Sequence, residues 1–420
     1  MKRCFVIPGP FVPANEPMTQ LVYKQLRLLP FEMEVCALRY WETDDSLAER
    51  IKSDPEWKKF HVTYTDDYRN VLFSIRNVFL PSCLHHMKKY IQNAAELYQG
   101  QEYVYTSSFP AYTIRAAELI RKKNPSVTWI ANFTDPINHS PYALEDRRTY
   151  QEYSLPEKIA FRLYCRYYVT GDDEAAAMED ADILLFICEE QRDFMIENYV
   201  RYYGRIPGAE IRSKSVIVPL NYIPEWNLLK PAEEVHNNPF LLSHFGRIYG
   251  LRNIDEFLEA VAIFVQKHPN FSLRIEQYGE FRKSDLGRIQ ELGISELFAI
   301  HEKIPYEDCI RKMGKSDAVL IFDTILPADE IQPYLPSKVL EYSLLKKNTL
   351  GITTRRSPTY RIMKASDAVV ADNDRNEIVS GLEDICIRRK KSVINYASTN
   401  EQAVQNLLYR IALIEKEKQK

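Results

Sequence analysis

With 420 residues, 45% of them apolar and 27% charged, the chain has the composition of a folded protein and the length for two domains with separate cores. A net charge of −3 argues against a dedicated nucleic-acid binder, and no apolar run approaches the ~20 residues that cross a bilayer. Seven cysteines, odd in number, scattered and never arranged as C-x-x-C, read as reduced core thiols of a cytosolic protein; Pro8 and Pro10 cut the apolar start at Cys4–Ile7, so no signal peptide is expected.

Residues 3–7 predict a first strand, followed by a loop with Gly9, a helix from Met18 to Leu29 and a strand from Met33 to Leu38. After a strand candidate at Phe60–Tyr64, apolar residues at 71, 72, 75, 78, 79 and 80 form one helical face, with Arg69, Arg76, Lys88 and Lys89 elsewhere. This stretch is either an interfacial helix that meets anionic lipid headgroups or a core helix with solvated cations. Strands at Glu102–Thr106 and Val127–Ala131 flank a helix at Ala111–Lys123. The loop after the second holds Asp135, Asn138 and His139, a site wall at a strand's carboxyl end; His139 reads equally as an acceptor-side base or an ordinary loop histidine. A helical segment at 156–169, a strand at Ile183–Ile187 and a helix from Glu189 lead to Val216–Tyr222, which resembles the linker "VIPNG" of a glycosyltransferase family taken up below; a domain boundary is expected near Asn221, because 224–238 is polar and lacks periodicity.

In the second half, strands at 240–245, 271–276, 297–301, 318–323, 349–352 and 368–371 alternate with helices, which predicts a parallel, doubly wound α/β sheet. The helix after the first of these has Asn253 as its expected cap, Glu256 three residues on, and Ile254, Phe257, Leu258, Val261 and Val265 as its buried stripe. An amphipathic helix is expected from Gln402 to the end.

The chemistry concentrates in two loops. Tyr334–Leu345 (YLPSKVLEYSLL) places Pro336 in the first turn of a helix that follows an apolar strand. The N–H groups at such a helix start favour an anion such as a diphosphate. Glu341, one turn in from Ser337, then lies within reach of a polyol such as ribose; the bland alternative makes Lys338 and Glu341 solvated helix residues. In HFGRIYGLRN, Arg247 and Arg252 either face that diphosphate or are surface charges. Gly314-Lys315-Ser316 lacks the upstream glycine of a phosphate loop. Asp372-Asn373-Asp374 reads as a turn, and no G-x-G-x-x-G for a dinucleotide cofactor occurs.

LPSKVLEYSLLKKNTLGI followed by SPTYRIM resembles the donor-nucleotide segment of GT-B glycosyltransferases of family four (group 1). The resemblance implies two Rossmann-like doubly wound parallel-sheet domains facing across a cleft: 1–221 on the acceptor side, 222–392 for the donor, and a helix in 393–420 packing back on the first. It implies Glu341 as ribose ligand, Gly246, Pro336, Ser337 and Lys338 beside the diphosphate, and Tyr278, Gly279 and Ile304 near the base. HFGRIYGLRN is similar to the family's "GR….KG" loop, with Arg252 in place of the usual Lys. Gly9 alone remains of the family's first glycine-rich loop, with Asn15 and Glu16 where small glycines are usual. NFTDPINH resembles the family's Asp-Pro loop, which makes Asp135 and His139 catalytic candidates. The family's first Glu, eight residues before the second, falls on Pro333 here, so Glu330 or Gln332 is left as its substitute. The implied activity is transfer from a nucleotide sugar, a substrate and not a cofactor, to a glycan or lipid-linked acceptor in cell-surface polysaccharide synthesis. Retention of configuration and no metal are implied, at a cytoplasmic location with weak anionic-membrane association. The alternatives are a catalytically inactive GT-B module that stabilises a partner enzyme, and a nucleotide-sugar epimerase.

Overall fold

Two runs of alternating strands and helices build two separate sheets in this computed structural model, which describes residues 2–418 except 15, 40–41, 68–80, 109, 138, 143–153, 157, 160–162, 164–170 and 228. The chain forms two compact units, Met1–Trp226 with Ser398–Lys420, and Asn227–Ala397.

Among its described residues the first unit holds seven strands, β1 (Lys2–Pro10), β2 (Phe31–Arg39), β3 (Phe60–Asp67), β4 (Tyr103–Ser107), β5 (Thr128–Asn132), β6 (Ile183–Phe186) and β7 (Ser215–Ile217). They pair in the order β3-β2-β1-β4-β5-β6-β7, every pair parallel. Its helices are α1 (Pro17–Leu26), α2 (Asp45–Ser53), α3 (Pro81–Leu97), α4 (Tyr112–Lys123), α5 (Gly171–Asp180), α6 (Glu189–Tyr202) and α7 (Gly208–Lys214). β1, β4, β5 and β6 are apolar runs because helices cover both faces of a parallel sheet. One face packs on α3, α4, α5 and α6 through residues such as Tyr90, Ile114 and Met195. The other packs on α1 and on the last helix of the chain.

The second unit's six strands are β8 (Phe240–Phe245), β9 (Leu273–Tyr278), β10 (Phe298–His301), β11 (Ala318–Phe322), β12 (Thr349–Ile352) and β13 (Val369–Ala371). They pair in the order β10-β9-β8-β11-β12-β13, again all parallel. Its helices are α8 (Asp255–Lys267), α9 (Lys283–Glu291), α10 (Tyr306–Lys315), α11 (Lys338–Leu345), α12 (Pro358–Ala365) and α13 (Arg375–Leu382). α14 (Asn400–Lys418) returns to the first unit and buries Ala403, Val404, Leu407, Ile411 and Ile414 in its core.

Several local expectations are corrected. The stretch read as a linker starts inside β7, whose Val216 pairs with Leu185 at the sheet edge. The strand expected at 271–276 runs from Leu273 to Tyr278. Asn253 does not cap α8: the cap position is Ile254, while Asn253 Oδ1 accepts from Asp255 N at 2.8 Å. Glu256 pairs with Arg375, 3.1 Å away, and so leaves the expected capping box unmade. Pro336 precedes the helix it was expected to open, and α11 begins two residues later. The apolar face at 71–80 lies outside the described residues, as does most of 156–169.

Candidate functional site

In a doubly wound sheet, ligands bind at the carboxyl ends of the strands where the strand order reverses. In the second unit that point lies between β8 and β11. The loop after β8 and the long loop after β11 border it, and they are joined by Ile325 N donating to Leu251 O at 3.0 Å.

Two glycines form the floor. Gly246 (φ +138°) follows β8 and Gly279 (φ +126°) follows β9. A Cβ on Gly279 would lie 2.6 Å from the Gly246 carbonyl oxygen, so the backbones meet at a distance only glycine permits. A Cβ on Gly246 would lie 3.2 Å from Cε and Nζ of Lys338, whose ammonium therefore rests over the backbone there. Gln277 holds the pair from below: its Nε2 donates to the carbonyls of Gly246 (2.6 Å) and Gly279 (3.2 Å). That leaves its Oε1 to accept from Nδ1 of His244 at 2.8 Å, which assigns His244 the Nδ1–H tautomer. Burial, helped by the charges of Lys338 and Arg252, pushes His244 down to about 3. It is neutral at pH 7.

Cations gather around this neutral floor. Desolvation pushes Lys338 below its ordinary value; Glu341 opposes that shift and Arg252 adds to it. Arg252 donates Nη1–H to Arg247 O at 3.1 Å, and its guanidinium lies 4.7 Å from the ring centroid of Tyr249. Its Nε is buried without a hydrogen-bond partner, an omission that costs about 1–3 kcal/mol and that an anion would relieve. Arg247 differs: it is exposed, with Nη2 3.0 Å from the exposed Glu280 carboxylate. Ser337 is exposed and its side chain does not cap α11; Val339 N and Leu340 N donate to the carbonyls of Pro336 (3.1 Å) and Ser337 (3.0 Å), so the helix start offers an anion its dipole rather than those two N–H groups. Pro336 and Glu341 flank that turn, both half-buried.

The loop after β11 is pinned by Asp323. Its Oδ2 accepts from Thr353 (3.1 Å) and Thr359 (2.6 Å), and its Oδ1 from Thr324 N (2.7 Å). Of the two substitutes for the displaced acid, Glu330 is exposed. Gln332 is fully buried, with Oε1 accepting from Tyr334 N and Nε2 unpartnered. The ring of Tyr278 is spent on packing between Phe245 (centroids 4.8 Å apart) and His301 (4.6 Å), its hydroxyl on Glu276. Ile304 is half-buried, and its carbonyl accepts from Cys309 Sγ at 3.8 Å. Asp372 pairs with Arg355 (3.0 Å), and Asp374 caps α13 through Asn376 N and Glu377 N, so both carboxylates of that turn are employed.

Gly9, Asp135 and His139 belong to the first unit. Gly9 is buried with φ +74°, Asp135 is exposed in the loop after β5, and His139 stacks on Tyr202, centroids 3.6 Å apart. His139 also lines a small, open pocket with Glu174, Met178, Met195 and Tyr199. The structure thus brings together Gly246, Gly279, Arg252 and Lys338, with Ser337 at the helix start. Arg247 and Glu330 stand apart, in solvent. Sequence reasoning missed His244, Gln277 and Asp323; the signal it had for them was a polar residue at the carboxyl end of an apolar strand.

No family model matches the sequence, and no curated protein matches it in sequence. Solved structures match its fold. A sucrose-phosphate synthase from Thermosynechococcus elongatus superposes with a TM-score of 0.57 at 11% identity, over 98% of this chain and 94% of that one. The catalytic domain of starch synthase IV from Arabidopsis thaliana, bound to ADP and acarbose, gives 0.56 at 10% identity over 99% and 98%. The apo lipopolysaccharide outer core galactosyltransferase WaaB gives 0.55 at 13% identity over 98% and 99%.

Proposed function

We propose that this chain, whose two Rossmann-like parallel-sheet units have the GT-B fold, is a nucleotide-sugar-dependent glycosyltransferase. It moves a sugar from a nucleoside-diphosphate sugar to a glycan or lipid-linked acceptor. The observation that carries this reading is the cluster at the second switch point: Lys338 and Arg252 above a glycine-only backbone contact, with neutral His244 beneath and the start of α11 alongside. When a glycosyl bond to a diphosphate breaks, negative charge grows on the departing nucleotide. Fixed cations and backbone N–H groups stabilise that charge without reorganising. Gln277 keeps the floor in place by bonding both glycine carbonyls. Glu341, half-buried on α11, accepts hydrogen bonds from the ribose hydroxyls.

In this reading Arg252 and Lys338 do the work of a divalent cation, and transfer proceeds with retention of configuration. Support for a nucleotide ligand comes from the starch synthase neighbour, which was solved with ADP. No helix of the described residues is long and apolar enough to cross a membrane; a lipid-linked acceptor would bring the protein to the cytoplasmic face of one, in cell-surface polysaccharide synthesis.

Calorimetry of the full chain against UDP, ADP and GDP tests the reading. At least one should bind, and Glu341→Gln should weaken it by about 1.5–3 kcal/mol, the worth of a hydrogen bond to a charged group. Loss of the carboxylate also removes the charge that favours protonated Lys338, which acts in the same direction. Wild-type protein that binds none of the three would sink the proposal.

A further inference from the structure

We infer that Asp323 is a positioning residue that holds the loops around Arg252 and Lys338 and, through its own charge, limits how tightly they hold a diphosphate. This role rests on the transferase reading, to which it adds a means of releasing the spent nucleotide.

The carboxylate stands where three strand ends meet. Its backbone N–H donates to Ile352 O at 3.1 Å, which continues β11 along β12. Phe322, just before it, packs on His244 at the end of β8, centroids 4.8 Å apart. Two residues after it, Ile325 N reaches Leu251 O, next to Arg252 in the chain. The buried side chain bonds Thr324 N on its own loop and the hydroxyls of Thr353 and Thr359 on the next. Thr353 Oγ1 lies 2.8 Å from Ser357 Oγ, which accepts from Tyr360 N at 3.0 Å, so the clasp runs into the first turn of α12. The same two loops carry buried groups without partners, Gln332 Nε2 and Thr354 Oγ1. Loops so incompletely bonded depend on the clasp for their position.

Ionisation is not needed for the clasp, because a threonine hydroxyl can accept from a protonated carboxyl as well as donate to an ionised one. What ionisation changes is the field at Arg252. Desolvation raises Asp323 to about 6, against the bonds from Thr359, Thr324 and Thr353 and the charge of Arg252. No ion pair joins the two side chains: Arg252 Nη1 is on Arg247 O and its Nε has no partner. They act on each other through space. A diphosphate beside Arg252 has the same sign as the carboxylate, so ionised Asp323 weakens its binding, and a bound diphosphate favours protonated Asp323. Other charges on the surrounding elements are balanced or screened. Lys338 faces Glu341, Arg247 pairs with Glu280, Arg355 with Asp372 and Glu377, and Glu256 with Arg375. His244 is neutral, and Arg356 bonds Asp329 O. Asp255, Asp329, Glu330, Arg361 and Lys364 are exposed to screening water.

Calorimetry of the full chain with UDP, ADP, GDP and inorganic pyrophosphate, at pH 8 and pH 5, tests this on wild type, Asp323→Asn and Asp323→Ala. Asparagine keeps the shape of the carboxylate without its charge, whereas alanine removes the clasp. Dividing the wild-type dissociation constant by that of Asp323→Asn cancels the probe's own titration. At pH 8 Asp323→Asn should bind about five- to tenfold tighter than wild type. The ratio should fall toward one at pH 5, where Asp323 is protonated. Asp323→Ala should bind more weakly than Asp323→Asn at both pH values. Thermal melting checks that the variants fold; should alanine not, the asparagine ratio alone decides. A purely structural carboxylate predicts weaker binding in both variants, and that result overturns the inference, as does a ratio that stays constant with pH. Nucleotide binding without a gain in Asp323→Asn overturns this role and leaves the transferase reading standing. Pyrophosphate binding with that gain, but no nucleotide binding, supports the role and overturns the transferase reading. Binding of no probe at all overturns both.

Discussion

Arg252 is half-buried over Tyr249 with an unpartnered Nε, while Arg247 in the same loop extends into solvent toward Glu280. Exposed ion pairs contribute about 0–1 kcal/mol, so Arg247 is free to move and Arg252 is not. Arg252→Ala should slow sugar transfer about 10²–10³-fold, as loss of a preorganised donor does, and Arg247→Ala should slow it at most about tenfold. Equal losses in steady-state assays would show that Arg247 swings in to share the charge. His244 carries a second prediction. Its folded value of about 3 lies below the unfolded value of about 6.5. The unfolded chain therefore gains a proton first as pH falls, so stability is full above about pH 6.5 and is lost toward pH 3, by at most about 1.4 kcal/mol per pH unit. Asp323 has the opposite sign: desolvation raises it to about 6 against the bonds from Thr359, Thr324 and Thr353, so its protonation favours the fold between about 6 and 4. The two partly cancel in the wild type. Comparing denaturation midpoints of wild type and His244→Gln from pH 7.5 to 4 isolates the histidine, and the variant should lose less stability over that range.

At the scale of elements, α14 is far from the first unit in sequence but part of its core. Leu407 is fully buried against α1 and the sheet, and Tyr103 on β4 donates its hydroxyl to Glu415 at 2.8 Å. Leu407→Ala should cost the first unit about 2–5 kcal/mol. Tyr409→Ala, on the exposed side of the same helix (68% exposed), should stay within about 0.5 kcal/mol. Chemical denaturation of the two variants separates a core helix from a loosely attached tail. The start of α14 is fastened by a buried polar set: Arg27 bonds both Asp54 oxygens (2.9 and 3.0 Å) and Asn400 Oδ1 (3.0 Å), and Asn400 Nδ2 reaches Asn221 Oδ1 (3.1 Å). Tyr23 donates to Asp54 as well (2.9 Å), and Asn400 Nδ2 also reaches Lys24 O (2.6 Å), so α1, α14 and the end of the first unit's sheet are joined by one connected polar network.

At the scale of the molecule, each unit buries its own core on both faces of its own sheet, so each has its own stability to lose or gain. A ligand that binds only the folded second unit stabilises that unit by mass action, about 2.7 kcal/mol at 100 times its dissociation constant. Hydrogen exchange with the tightest nucleotide should therefore show slower exchange through residues 240–371 and little change in 2–132. Protection confined to 2–132 would place the nucleotide on the wrong sheet.

The sequence by itself determined the alternation of strand and helix and, through it, the α/β class. β8 and β12 occur where their mainly apolar runs lie, and β11 ends one residue short of its reading, because parallel strands covered on both faces are largely apolar. The two loops that hold Gly246, Arg252 and Lys338 were legible for the same reason, since they follow such runs. Tertiary structure decided the rest. Asn253 and Glu256 satisfy a local capping pattern, yet Glu256 is taken by Arg375, 119 residues away. Pro336 fits a first turn, but the long loop pinned at Asp323 delivers the chain so that the helix begins at Lys338. Gln277 and His244 look like ordinary polar strand residues until β8 and β9 lie side by side and place one amide against two glycine carbonyls and an imidazole. Periodicity is a property of neighbours along the chain and can be read there; the partner of a buried polar group is chosen by residues far away, and only the folded chain names it.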